Sequence, residues 1–366
     1  MKHTFSKQLL RISLTGLVTL LLLALGSNVL VGGQGPMPQQ TAASQADGID
    51  EVVVVGTDGY VYAYDYTGQL VYQSPGNGWS LAATGDFNRD GDDEIVAVGG
   101  NRIKVFDPQV NGTEYSLSRT YSGSTGTFTK VAVGHLVGDD NQLDIALLRS
   151  RGGTVSRIVI YRTSKAAPAV DYEFPYSNWD DFAVADFDGD GDDDFALIYW
   201  NNNYPDGVKS WLELWKGHDP SQRLQGSSNN GRYSNLEWFD IAAGNFVTTN
   251  GDRVEWVGAQ NVNNVVVQQW KDERIRDVWA VGPAFEFVAA ADFRGDGDDQ
   301  VAMLRNVTSG VSLQFARSGD ARFKPWAKTS GLGTGWLNLA AGNLDTETKY
   351  KEAVIIKNNL IRVYLR

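Results

Sequence analysis

Three segments of the chain carry acidic and amide side chains at the spacing that a Ca²⁺ ion requires. They begin at Asp86, Asp186 and Asp292, and each runs through a nine-residue loop into a hydrophobic segment. In the first loop, oxygen-bearing side chains stand at positions 1, 3, 5 and 9, and Gly91 at position 6 permits a sharp turn. Because calcium prefers such hard oxygen ligands, the sequence predicts calcium-binding loops.

The three loops differ in the ligands they offer. The second has carboxylates at all four positions, and the first has an amide and a glutamate among its ligands. The third has Arg294 at position 3 and Gln300 at position 9, so we predict two calcium sites and a third of lower or absent affinity. The candidate metal ligands are Asp86, Asn88, Asp90, Asp92, Glu94, Asp186, Asp188, Asp190, Asp192, Asp194, Asp292, Asp296 and Asp298.

These loops are not EF-hands, because position 12 is not glutamate. Ala97, Leu197 and Met303 stand there, and a β-branched or aromatic segment follows each loop instead of a helix. With hard oxygens and no histidine in the set, the ions are expected to be structural rather than catalytic. The acids at position 8, Asp93 and its two equivalents, are expected to face solvent or to brace the loop.

The loop belongs to a longer repeat. Its last residue recurs about every 40 to 60 residues, a period typical of propellers. These seven positions are Glu51, Glu94, Asp144, Asp194, Glu255, Gln300 and Glu352. An aromatic residue precedes each complete loop by seven positions and opens a small-residue strand, which suits the crowded axis of a propeller. These aromatic residues, expected to pack between blades, are Trp79, Phe128, Trp179, Trp238, Phe285 and Trp336.

Two more strand patterns follow each loop, and most repeats have room for a fourth strand. The sequence therefore predicts an all-β fold, a seven-bladed β-propeller over 47–366. The first repeat lacks an evident innermost strand before Asp47, and the last ends after its third strand, so an incomplete first or last blade is expected. Six blades with an irregular closure is the alternative.

The motif D-F-[ND]-G-D-G-x-D-D followed by a hydrophobic strand resembles the FG-GAP or VCBS repeat of integrin α-subunit propellers and of many secreted bacterial proteins. The resemblance is strongest at 86–94 and 186–194 and weaker at 292–300. In the other four repeats residues such as His135, Asn245 and Lys351 replace the acids, so calcium binding is not expected there. Membership would imply adhesion or recognition of a protein or glycan at the cell surface.

The N-terminal segment and the composition lead to expectations about location and partners. It has 366 residues, no cysteine and a formal net charge of −12, which argues against nucleic-acid and anionic-membrane partners. A basic start and an apolar run predict a signal peptide or membrane anchor at 1–27, followed by a flexible linker at 28–46. The protein is therefore predicted to be secreted or tethered to a membrane by an uncleaved segment.

Catalysis has little support in the sequence. Three histidines offer no cluster, no P-loop for a nucleotide is present, and no catalytic residue is predicted. A loop with Trp200, Asn202 and Tyr204 could bind a ligand such as a sugar ring, because it combines aromatic and amide side chains. We therefore predict a non-catalytic binding or adhesion module. The alternative is a propeller enzyme, a polysaccharide lyase or glycosidase, with its site at the channel mouth.

Overall fold

The computed structural model describes the chain from residue 40 to residue 364, and all regular structure within it is β-strand. The gaps in this description are 45–49, 66–67, 91, 109–115, 123–125, 139–141, 151–155, 175–178, 201–209, 225–231, 235–237, 247–254, 261–264, 272–273, 282–284, 318–323, 343–350 and 358–359. Within the described residues, no helix long and apolar enough to cross a membrane is present. The predicted signal peptide or anchor at 1–27 lies outside this range.

The strands form seven antiparallel sheets, six with four strands and one with three. The first three sheets are β1 (Gln40–Ser44), β2 (Asp50–Val55), β3 (Val61–Tyr64) and β4 (Leu70–Gln73); β5 (Leu81–Gly85), β6 (Glu94–Gly99), β7 (Arg102–Phe106) and β8 (Ser116–Thr120); and β9 (Thr127–Gly134), β10 (Asp144–Ser150), β11 (Ser156–Arg162) and β12 (Val170–Glu173).

The next two sheets are β13 (Trp179–Ala185), β14 (Asp194–Trp200), β15 (Ser210–Trp215) and β16 (Arg232–Ser234); and β17 (Trp238–Gly244), β18 (Glu255–Gln260), β19 (Val265–Lys271) and β20 (Arg274–Val281). The last two are β21 (Phe287–Ala291), β22 (Gln300–Leu304), β23 (Val311–Arg317) and β24 (Lys324–Ser330); and β25 (Trp336–Gly342), β26 (Glu352–Lys357) and β27 (Leu360–Tyr364).

The first strand of each sheet lies against the first strand of the next sheet, and β25 lies against β1. This arrangement closes a ring with these strands around its axis, which is the architecture of a β-propeller. Small residues suit this crowded position, as in β5 (Leu81–Gly85) and β21 (Phe287–Ala291). The second strands are the most buried, and every residue of β6 and of β22 is shielded from solvent.

Four of the recurring aromatic residues pack with residues of a neighbouring sheet, as the sequence predicts: Trp79, Phe128, Trp179 and Trp336. The side chain of Trp238 lies outside the described part of the chain. Trp79 belongs to a buried cluster with Val53 and Ala63 of the first sheet and Ile95 of the second. Trp179 packs with Phe174, whose ring centroid lies 5.7 Å away in an edge-on arrangement. Since these rings bury apolar area between neighbouring sheets, they hold the ring together.

The predicted blade organisation needs correction at the N-terminus. Strand β1 lies within 28–46, the range for which the sequence predicts a linker, and supplies the innermost strand that the first repeat was expected to lack. The sheet with fewer strands is the last, β25–β27, among the described residues. The six-bladed alternative is wrong, because the described strands form seven separate sheets. The boundary at 47 cut off β1 because its sequence, QTAAS, has neither the aromatic residue nor the apolar alternation of the other innermost strands.

Candidate functional site

The first acidic loop joins β5 to β6 and is organised by its own side chains. Asp86 Oδ1 accepts hydrogen bonds from the backbone N–H groups of Arg89, at 2.6 Å, and Asp90, at 3.2 Å. Asn88 Oδ1 accepts a further bond from the N–H of Asp90, at 2.9 Å. Arg89 has a φ of 64°, a left-handed conformation uncommon for a residue with a Cβ. Phe87 anchors the loop in the core, where its ring is buried.

Three carboxylates converge at this loop. One oxygen each from Asp90, Glu94 and Asp107 lie within 4.8 Å of one another. Glu94 and Asp107 are buried. Burial raises the pKa of Glu94 to about 7, the N–H of Phe87 opposes the shift, and the charges of Asp90 and Asp107 reinforce it. A hard divalent cation would relieve this repulsion, so the oxygen set fits calcium.

Asp107 was not among the sequence-predicted ligands. It follows the third strand β7, one residue past the cross-strand pair of Ile95 and Phe106, and so comes beside the end of the loop. The available signal was an acid directly after a third strand. The loop ends at Glu94, thirteen residues before Asp107, and only the strand register brings the two residues together.

The second loop joins β13 to β14 and uses Asp186 in the same way. Its carboxylate accepts hydrogen bonds from the N–H groups of Gly189, at 2.7 Å, Asp190, at 3.1 Å, and Gly191, at 2.9 Å. Oxygens of Asp186, Asp188 and Asp190 lie within 4.8 Å of one another, so three predicted ligands are brought together. The loop is thus shaped by its backbone around the first acid, as the first loop is.

Asp194 closes the second loop from the core side. Its side chain is fully buried, and its Oδ2 atom has no hydrogen-bond partner among the residues that the structure describes. Burial and the nearby charge of Asp188 raise its pKa to about 8, with Lys216 opposing this shift. A buried carboxylate oxygen without a donor is costly unless a cation faces it. This oxygen set also fits a cation.

A cation from the chain itself already faces this loop. Lys216 directly follows β15, and its Nζ lies 2.5 Å from Asp188 Oδ2 and 2.5 Å from Asp190 Oδ2. Although burial opposes it, these two hydrogen bonds raise the pKa of Lys216. The loop sequence alone predicts the best calcium site here. The lysine lies 22 residues beyond the loop's last acid, so the loop motif does not include it.

The third loop joins β21 to β22 and has two nitrogen donors among its acids. Asp292 accepts hydrogen bonds from the N–H groups of Asp296, at 3.0 Å, and Gly297, at 2.8 Å. Arg294 Nη1 lies 2.6 Å from Asp296 Oδ2, and Gln300 Nε2 donates to Asp296 Oδ1 at 2.8 Å. Both oxygens of a predicted ligand are therefore bound to the protein. Lower or absent calcium affinity here stays a prediction that these contacts favour.

The position 8 acids join neighbouring sheets. Asp193 Oδ2 accepts a hydrogen bond from the N–H of His135 at 2.7 Å, and the N–H of Asp193 donates to the His135 carbonyl at 2.8 Å. Asp299 forms the same pair of bonds with Asn245, both at 2.8 Å. A Cβ on Gly134 would lie 2.6 Å from Asp193 Oδ2, so glycine lets the two loops approach. Asp193 also accepts a hydrogen bond from the backbone of Asp186, so it braces its own loop as expected. The bonds to the neighbouring sheet were not predicted for either acid.

A row of charged residues crosses three neighbouring innermost strands, β9, β13 and β17. Lys130 of β9 lies 2.8 Å from Asp181 Oδ2 of β13. On the next sheet, Asp240 of β17 accepts hydrogen bonds from the N–H groups of Val288 of β21, at 2.9 Å, and Ile241, at 3.1 Å. Burial and the charge of Asp181 raise the pKa of Asp240 to about 7, while Lys130 opposes the shift. These residues connect four successive sheets.

The predicted ligand loop is only partly placed. Trp200 ends β14, where it pairs with Ser210 of β15. Asn202 and Tyr204 lie outside the described residues, so a sugar-binding role for this segment stays a prediction.

Comparison with known proteins supports the fold. No family model matches this chain, and no curated protein matches it in sequence. Its backbone is similar to BBS1N solved in complex with ARL6DN and soaked with lead, with a TM-score of 0.62, 10% identity and coverage of 92% of this chain and 94% of that chain. It is also similar to the Dos1 propeller, with a TM-score of 0.57, 9% identity and coverage of 89% of this chain and 77% of that chain. The chain has a propeller fold. At such low identity these likenesses extend to the fold alone.

Proposed function

We propose that this protein is a secreted or surface-tethered, calcium-stabilised propeller of the FG-GAP or VCBS type that acts as a non-catalytic binding or adhesion module. The observation that carries the proposal is the convergence of Asp90, Glu94 and Asp107 oxygens at a loop between two strands of one sheet. Three acids in one place require a counter-charge, and calcium supplies it outside cells, where even weak sites are filled. The bound ion would fix the loop and neutralise its charge.

The propeller supports a binding role because its loops project from a rigid ring. Binding residues commonly lie on loops that a rigid scaffold positions. The similar BBS1N was solved in complex with ARL6DN, which supports a protein ligand for a ring of this kind. A glycan is the other ligand class, for which the support is the aromatic and amide composition of the loop after Trp200.

One observation favours an enzyme as the second candidate. Lys130, Asp181 and Asp240 bring charges together on three neighbouring innermost strands, and a carboxyl group with a pKa near 7 is suited to acid–base work. Against this, both oxygens of Asp240 accept backbone hydrogen bonds, one of them from the neighbouring sheet. We therefore assign these residues to contacts between sheets.

The two functions differ in turnover. The purified protein would be incubated with a panel of acidic and neutral polysaccharides, and new reducing ends and unsaturated products would be measured alongside binding to the same polymers and to a protein array. Binding without product formation is the expected result. Product formation that Asp240→Asn abolishes, with the fold retained, would replace the binding module by the enzyme. A melting temperature indifferent to chelator would remove calcium from the proposal.

A further inference from the structure

The residue that follows the third strand differs in charge between the two best acidic loops. Asp107 comes one residue after Phe106, which pairs with Ile95 at the end of the first loop. Lys216 comes one residue after Trp215, which pairs with Phe195 at the end of the second loop. The two residues therefore occupy the same structural position, which we call the third-strand position, beside the last acid of each loop.

In the second loop the third-strand position supplies a positive charge. The Lys216 ammonium contacts Asp188 and Asp190 together, and its side chain is only 13% exposed. Asp194 belongs to the same cluster, since its Oδ1 accepts a hydrogen bond from the N–H of Gly217, the residue after Lys216, at 3.4 Å. Its buried Oδ2 has no partner among the described residues. An ammonium held among these acids supplies the counter-charge that a calcium ion would otherwise provide.

In the first loop the third-strand position supplies a negative charge instead. An Asp107 oxygen lies within 4.8 Å of oxygens of Asp90 and Glu94, so the loop gains a carboxylate where the second loop gains an ammonium. Calcium affinity rises with the number of charged ligands. The two loops thus differ by two units of charge at one position, although the acids within the second loop alone are the more complete set.

A basic residue at the third-strand position recurs in other repeats. Arg162 pairs across the sheet with Asp144, and its Nε lies 4.0 Å from Asp144 Oδ1. Its guanidinium also lies over the loop, since a Cβ on Gly138 would be 2.9 Å from Nη1. In the third acidic loop, Arg317 follows Ala316, the partner of Val301. Among the three acidic loops the first alone has an acid at this position. Asp65, which follows Tyr64, the partner of Val52, is a second acid there, in the first sheet.

We propose that the residue at the third-strand position selects the cation of each loop: the Lys216 ammonium is the resident cation of the loop at Asp186, and the loop at Asp86, completed by Asp107, is the stronger calcium site. This inference rests on the proposed calcium-binding function and reverses the order of the two sites that the loop sequences predict. Calcium reaches the second loop only by displacing the lysine.

The test is removal of the lysine charge with its length kept. Isothermal titration calorimetry with CaCl₂ would measure calcium binding by four proteins: wild type, Lys216→Met, Asp90→Asn and the double variant that carries both substitutions. The double variant isolates the second loop. Relative to Asp90→Asn alone, it should bind calcium about tenfold more tightly or better, because one competing positive charge is gone. The matched control, Lys328→Met, removes an exposed lysine on the outer strand β24 and should leave the affinity unchanged.

Melting temperatures in chelator and in calcium give a second measurement. In chelator, Lys216→Met should have a lower melting temperature than wild type, and calcium should restore most of the loss. In wild type, calcium should raise the melting temperature through the first loop. If Asp90→Asn removes the calcium response of wild type and the double variant regains none, the lysine inference is wrong and calcium binding survives. If only Lys216→Met responds to calcium, the lysine inference stands and the calcium dependence of the natural protein fails. If neither responds, both are wrong.

Discussion

The carboxylate of Asp299 accepts a hydrogen bond from the backbone N–H of Asn245 at 2.8 Å, although the two residues belong to different sheets. The N–H of Asp299 returns a bond of the same length to the carbonyl of Asn245. Burial raises the pKa of Asp299, and the hydrogen bond from Asn245 opposes this shift. Asp299, at position 8 of the third acidic loop, thus joins one sheet to the next.

Asp299→Ala should destabilise the protein by about 1–3 kcal/mol, because the half-buried N–H of Asn245 loses its acceptor. Urea unfolding, followed by tryptophan fluorescence, would measure the change. Gln73→Ala serves as the control, since Gln73 is exposed on the outer strand β4. Equal stability of the two variants would show that the bond between sheets contributes nothing.

Glu94→Gln should remove most of the calcium response of the melting temperature. The amide keeps the shape of the side chain but supplies no negative charge to the ion. In chelator, the variant should be as stable as wild type or more stable, because one of three converging acids is neutral. Differential scanning fluorimetry in calcium and in chelator reports both effects.

Loss of the calcium response with unchanged or higher stability in chelator distinguishes a metal ligand from an ordinary buried acid. Glu173→Gln, on the outer strand β12, weakens an ion pair with Arg157 that is largely solvent-exposed and should change both melting temperatures only slightly. Loss of stability in chelator together with an intact calcium response would mean that Glu94 acts only through its bond from Phe87.

Lys130→Met should destabilise the protein more at pH 8 than at pH 5. The folded-state pKa of Asp240, about 7, lies above its ordinary value of 3.8, so the folded protein binds more protons between these values and the contribution of Asp240 to stability falls as the pH rises. Lys130 lowers the pKa of Asp240, so in its absence the ionisation of Asp240 beside Asp181 costs more free energy, a cost that is present at pH 8 and small at pH 5. We expect a loss of about 1–3 kcal/mol at pH 8, measured by urea unfolding.

The pH dependence of the Lys130→Met loss should disappear in an Asp240→Asn background, where the carboxyl can no longer ionise. Lys165→Met removes an exposed charge and should show no such dependence. An equal loss at pH 5 and pH 8 in the wild-type background would contradict the assignment of Asp240 as the titrating group.

Trp200→Ala should abolish binding on a glycan array if the loop after β14 holds a sugar. An aromatic face contributes much of the contact area to a sugar ring, so its truncation removes binding rather than weakening it slightly. Phe239→Ala is the control, because Phe239 is an aromatic side chain 39% exposed on β17. A blank array for the wild-type protein would count heavily against the glycan ligand and leave a protein ligand.

The sequence predicted the strand pattern, because the small residues of β5, the buried apolar run of β6 and the aromatic at Trp79 are local signals. It could not predict contacts that depend on how sheets align. Asp107 and Lys216 join their loops through cross-strand register. The contact between Lys130 and Asp181 spans two sheets, and nothing in the spacing along the chain indicates it. Strand β1 was not predicted because its residues, QTAAS, show no alternation of apolar and polar side chains.

The contact between β25 and β1 has a kinetic consequence. Every sheet is built from neighbouring strands in chain order, so each can form through short-range hairpins. The seam of the ring instead joins opposite ends of the described chain, and the loop-closure entropy of that contact must be overcome last. Refolding should therefore show fast formation of β-structure followed by a slower step in which the ring closes.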